Sequence, residues 1–145
     1  MSLITKLALA LVVPAAAALA GTGTAHAAGD LYGAIAVGGF TVGEAFDYPT
    51  QYGADQAALD TCRGKSAGVC YIQVRVHDEC GVVLEKDVFS LGSVVPIYTS
   101  GTGASAAEAE QNARKLAGPE VNQPPFIYTV KPLFVLDTIC TSNAR

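Results

Sequence analysis

Positive charge and histidine are what this 145-residue sequence has least of: nine lysines and arginines stand against thirteen acidic residues, and there are two histidines. Basic side chains scattered that thinly offer no electrostatic footprint to a nucleic-acid backbone or an anionic lipid surface, so both are set aside as partners. His26 falls in the N-terminal segment, which leaves His77, beside Asp78, as the only imidazole in the body of the chain. A serine-histidine-aspartate site would need a nucleophile as well. No serine stands in a G-x-S-x-G elbow, and Ser90, Ser93, Ser100 and Ser105 fall in turns or at a helix cap. His77 is therefore read as an outward-facing strand residue. With one histidine, and with the cysteines expected to be oxidised, a zinc site lacks ligands. Asp78, Glu79, Glu85 and Asp87 could make a carboxylate-only calcium site, but their spacing is not that of an EF-hand loop. Solvated charges on an edge strand are the expectation for them. No catalytic, metal or cofactor residues are assigned.

Long apolar runs are also missing, except at the N-terminus. There Lys6 precedes LALALVVPAAAALA, and Ala25-His26-Ala27 fits the small-x-small rule for signal peptidase. Residues 1–27 are read as a cleaved signal peptide. A membrane anchor is the alternative, disfavoured by Pro14, the alanine-heavy composition and the cleavage site. No cysteine follows for lipid attachment and no twin arginine is present. Export would leave residues 28–145 as one secreted domain of net charge −5, with eight basic and thirteen acidic side chains.

What is present is a pattern written twice, over about residues 31–78 and 79–141. Leu31 to Val37 and Phe40 to Phe46 are β-prone runs split by Gly38-Gly39, a pair suited to a tight hairpin turn. Pro49 stops the second run and Thr50 can cap a helix from about Gln51 to Cys62. Ala54, Ala57, Ala58, Thr61 and Cys62 form one face of small residues that lets this helix lie close on a sheet. Cys70 to His77 then alternates, with Cys70, Ile72, Val74 and Val76 expected on one buried face. The second unit is looser. Cys80 to Leu84 echoes Tyr32 to Ala36, and Gly92 to Tyr98 replaces the second strand, with Pro96 hinting at an edge or bulge. A helix from about Ser105 to Leu116 follows, ended by Gly118-Pro119. Glu120 to Pro125 reads as an irregular loop, and Phe126 to Val130 with Leu133 to Cys140, broken at Pro132, as closing strands. The implied architecture is α+β: an antiparallel sheet of two hairpin-helix-strand repeats with two helices packed on one face.

Four cysteines in an exported chain imply two disulfides and leave three connectivities open. Position favours Cys62 with Cys70, at the helix end and the next strand start, and Cys80 with Cys140, which would tie the two units together. Gly101-Thr102-Gly103-Ala104-Ser105-Ala106 spells G-x-G-x-x-A ahead of a helix. Its flanking strands read as a hairpin rather than a parallel βαβ unit, so a glycine turn with Ser105 as cap is expected instead of a dinucleotide site. Tyr48, Tyr52 and Tyr98 are candidates for a surface patch.

The opening YGAIA, the glycine turn, the helix A-x-x-A-A-L-x-x-C, the later C-G-V-V, and G-T-G ahead of A-x-x-A with R-K-L-A-G after it resemble the secreted family catalogued as domain of unknown function 4189, found in mycobacteria, nocardiae and their relatives. Members of that family often carry Trp-Gly where this chain has Val42-Gly43. The resemblance implies an exported address and a fold pattern but no mechanism. The function expected from the residues is a monomeric, disulfide-stabilised, non-enzymatic binding module for an unknown protein or cell-envelope partner. The alternatives are a small secreted hydrolase using carboxylates and a cell-envelope structural protein. Whether Asp78, Glu79, Glu85 and Asp87 converge or scatter discriminates between them.

Overall fold

Glycine chemistry starts the fold. In the computed structural model, which describes residues 29–65, 68–120 and 122–144, strand β1 (Tyr32–Gly38) turns into β2 (Thr41–Tyr48) through Gly39 and Phe40. The turn is one residue later than Gly38-Gly39, because it is Gly39 that adopts the positive φ, 60°. The expected signal peptide, residues 1–27, lies outside the described residues. Helix α1 (Gln51–Lys65) begins where Thr50 Oγ1 accepts the Gly53 N–H at 3.2 Å. It runs past Cys62 to Arg63 and Lys65, cations that suit the negative end of the helix dipole. β3 is Tyr71–His77.

The second half follows with β4 (Cys80–Ser90), β5 (Ser93–Gly103), α2 (Ala106–Leu116), the two-residue β6 (Asn122–Gln123) and β7 (Ile127–Cys140). Leu91 and Gly92 join β4 to β5 with φ of 50° and 88°, the pair of positive values that a two-residue hairpin of this twist requires. Ser105 caps α2 by accepting the Glu108 N–H at 3.3 Å, while Glu108 reaches back to the Ala104 N–H at 3.0 Å. β7 is continuous through Pro132, with irregular register against β4 absorbing the proline. The expected loop at Glu120 to Pro125 contains β6, which pairs with Ile127 and Tyr128.

All pairings are antiparallel and the class is α+β, but the strands make two sheets rather than one, in the orders β2-β1-β3 and β5-β4-β7-β6. The two helices consequently cover different sheets. Ala34 and Ala36 of β1 pack with Ala54, Ala58 and Cys62 of α1; Val82 and Leu84 of β4 pack with Ala109 and Ala113 of α2. Between the sheets lie Ile35, Val37, Val74, Val76, Val83 and Ile139. The reason is that β1 and β4 are apolar on both faces. A single sheet with helices on one side would leave Ile35, Val37 and Val83 in water, and stacking the sheets covers them.

β3 departs from strict alternation. Its register against β1 slips between Ile35↔Val74 and Ala36↔Ile72, so one extra residue, Gln73, bulges. Cys70 and Ile72 therefore face α1, while Val74 and Val76 face the other sheet. Disulfides join Cys62 to Cys70, from α1 to the approach of β3, and Cys80 to Cys140, which are direct partners across β4 and β7.

Candidate functional site

β4, β5 and β7 have 11, 11 and 14 residues against 7, 8 and 7 for β1, β2 and β3. The inner face of the longer sheet therefore continues past the residues that pack on the shorter one. Side chains on a strand alternate, so Val83, which sits in the core between the sheets, is followed on its face by Glu85 and Asp87. Register places Tyr98 of β5 and Phe134 of β7 opposite Glu85, and Pro96 and Lys131 opposite Asp87. Phe89 comes next on that face, its ring stacked on Tyr128 with centroids 5.1 Å apart. The result is two neighbouring acids between aromatic walls.

Glu85 is only 4% exposed, on a strand that is central rather than at an edge, which overturns the expectation of solvated edge charges. Burial, then the neighbouring Asp87 carboxyl, push its pKa up to about 7; the Lys131 ammonium and the Tyr98 hydroxyl pull weakly the other way. Tyr98 is held protonated well above the ordinary tyrosine range, first by burial and then by Glu85. Its hydroxyl donates to the Gly39 carbonyl at the tip of the β1–β2 hairpin. Lys131 Nζ lies 3.5 Å from the centroid of the Phe134 ring. Glu85 Oε2 and Asp87 Oδ1 are shut off from solvent, and with Glu85 protonated the two carboxyls hydrogen-bond to each other. Lys86, on the opposite face, is also buried, and donates to the Ala117 and Pro119 carbonyls at 3.2 and 3.3 Å, closing the C-terminal end of α2.

The other sequence candidates are elsewhere. Asp78 and Glu79 form the turn before β4 and do not join Glu85 and Asp87. Asp78, at φ 56°, accepts the Leu31 N–H at 2.8 Å and the Asn143 amide through Oδ1, and these bonds hold its carboxyl below the usual range. His77 stacks on Tyr32 with centroids 4.6 Å apart, and its Nε2 lies 3.7 Å from Asp30 and 3.6 Å from Asp78. These three offer ligand atoms within 4.8 Å of one another, in an exposed cluster. A second acid pair sits at the seam between the sheets: burial and then Asp137 of β7 raise the pKa of Glu44 of β2.

The G-x-G-x-x-A stretch has a packing role. A Cβ on Gly101 would lie 2.4 Å from Ala113 N and 2.6 Å from Ala109 O, so the glycine admits α2 to the sheet. Gly43 does the same for α1, where a Cβ would lie 2.3 Å from Ala58 O and Cys62 N. The tyrosines do not make one patch. Tyr48 pairs with Tyr32 at the far end of the hairpin from Gly39, Tyr52 is exposed on α1, and Tyr98 lies between the sheets.

What sequence reasoning missed is Lys131 and Phe134, and that Tyr98, expected in a surface patch, stands beside the Glu85–Asp87 pair. The available signal was the i, i+2 spacing of the two acids after Val83, inside a run too apolar for an edge strand. No curated protein and no solved structure matches the chain. A family model described as Domain of unknown function (DUF4189) matches residues 32–122, from β1 to β6 and including Glu85, Asp87 and Tyr98, and the chain belongs to that family.

Proposed function

We propose that the chain is exported, processed near Ala27, and works outside the cell as a monomeric, non-enzymatic binding module whose ligand surface is the more accessible end of the inner face, Asp87, Phe89, Tyr128 and Lys131, beside the buried Glu85. Support for export comes from the apolar N-terminal run and its cleavage site, and from two disulfides, which persist in oxidising compartments. Mass spectrometry of culture supernatant is expected to find a product starting at Ala28 or Gly29; an intact, membrane-held Met1 form would overturn export.

The observation that carries the binding reading is the acid pair itself. Burying two neighbouring carboxyl groups costs folding energy, and a chain that keeps them between Tyr98, Phe134 and Lys131 keeps them for recognition. Capture from cell-envelope extract with the processed chain, run beside a Glu85→Gln/Asp87→Asn variant, tests it. A partner, protein or glycan, retained by the parent and lost by the variant is expected. Equal capture by both would remove this surface from the reading. A hydrolase is the second reading, favoured by the raised Glu85 pKa. The two carboxyls touch, however, whereas glycosidases hold theirs about 5 Å or more apart. The two hairpin-helix-strand units are best explained as an internal duplication, supported by the shared order β2-β1-β3 and β5-β4-β7 and by Gly43 and Gly101 under their helices.

A further inference from the structure

Charge stops abruptly at one end of the longer sheet. Residues 88–98 and 122–130 carry none, and strand register brings the two stretches together, because Ser90 lies between Ser93 of β5 and Ile127 of β7. The β4–β5 turn and the β6–β7 turn therefore project side by side from the same end. At their tips Leu91 is 96% exposed and Phe126 76%, with Val94 at 42% and Val95 at 39% behind them. Single exposed apolar residues are ordinary on a protein surface, but four at one uncharged end make a patch. Leu91 also breaks a local rule. It holds φ 50° as the first residue of a two-residue hairpin turn, a position that asparagine or glycine takes at little cost and a bulky residue seldom does. A side chain that strains its backbone and gains almost no burial in the fold points to contact outside it.

We propose that these two turns are a membrane-insertion tip, and that their partner is a lipid bilayer without net surface charge. Residues follow one another along the sheet in the order a bilayer interface requires. Leu91 and Phe126 lead, the stacked Phe89 and Tyr128 come next, where tyrosine is favoured at headgroup level, and charge returns one row later with Asp87 opposite Lys131. Two convex tips also suit lipid better than protein. Leu91 and Phe126 offer far less area than the roughly 800 Å² per partner of a standard protein interface, whereas a few inserted apolar groups are enough for weak, reversible membrane attachment. With no charge in either turn, attachment needs no anionic lipid. The tip rests on the export reading, since residues 1–27, apolar themselves, must first be removed, but not on a ligand at the inner face. An unprocessed product in culture supernatant would count against export alone, and a vesicle assay on residues 28–145 tests the tip alone.

Flotation of the processed chain with phosphatidylcholine vesicles, with and without added phosphatidylglycerol, provides that assay. Reversible partition within the millimolar lipid range is expected, unchanged by phosphatidylglycerol or by high salt, and a spin label in the lipid chains should broaden the amide NMR signals of residues 90–93 and 125–128 most. Leu91→Asn, which installs the preferred Asn-Gly turn, should lower the partition coefficient about tenfold or more while holding or raising the melting temperature. Phe126→Ser should weaken partition by a similar factor, and Leu116→Ser, at an exposed apolar position on α2, should leave it unchanged. No partition at millimolar lipid, partition that requires phosphatidylglycerol, or equal partition by the Leu91→Asn/Phe126→Ser double variant would overturn the proposal. So would dimerisation of the parent in place of vesicle binding, lost in that variant, which would give the tip to a second copy of the chain.

Discussion

Glu85 shows how one side chain sets the pH response of the molecule. Its pKa is 4.5 when unfolded and about 7 in the fold, so between these values the native state holds a proton that the unfolded chain has already lost. Stability is thus highest below about pH 4.5 for this group and is lost as pH rises toward 7. Glu44 adds to the same trend, its pKa also being raised. Asp78 acts oppositely: its pKa is lowered from 3.8, so its contribution disappears only as pH falls below that value. The folding free energy read by urea denaturation is expected to fall from pH 5 to pH 8 by an amount on the order of 2–3 kcal/mol, and the melting temperature with it. Glu85→Gln, which keeps the shape and cannot ionise, should remove most of that slope and melt higher than the parent at pH 8. A parallel slope in the variant would show that Glu85 does not control it.

Between helix and sheet, stability rests on close approach rather than on large side chains. α1 buries Ala54, Ala58 and Cys62, and α2 buries Ala109 and Ala113, none of which fills much volume. These helices can gain contact only by lying almost on the backbone of β2 and β5, which is what Gly43 and Gly101 permit. Adding a methyl group at either glycine pushes on helix backbone, which cannot rotate away. Gly43→Ala and Gly101→Ala are each expected to cost about 1–3 kcal/mol by urea denaturation. Gly64→Ala is the control, since nothing lies within 4 Å of a Cβ there and alanine favours the helix by up to about 1 kcal/mol. Equal loss at all three positions would refute close approach as the cause. The alanine face of α1 was legible in the sequence because small residues recurred at helical spacing. The Gln73 bulge was not, because a bulge leaves the alternation of residue types unchanged and alters only which face they reach.

For the whole molecule, the two disulfides close loops of very different length, with sequence separations of 8 and 60. On chain entropy alone the short one contributes about 2–3 kcal/mol and the long one about 4. Cys140→Ser is therefore expected to lower the melting temperature more than Cys70→Ser, and the reverse order would mean that loop closure is not the dominant effect. What the sequence by itself determined is local. Thr50 and Ser105 start helices because a hydroxyl meets free N–H groups, and Gly39 and Gly92 turn hairpins because they accept positive φ. The tertiary structure decided how the sheets stack and what their stacking brings together. Glu85 and Asp87 on β4, Tyr98 on β5 and Lys131 and Phe134 on β7 are separated along the chain, and only strand register joins them. Whether an acid in an apolar strand meets water or another acid depends on which face the opposing sheet covers. That is a property of packing between distant segments, which no local pattern of residues encodes.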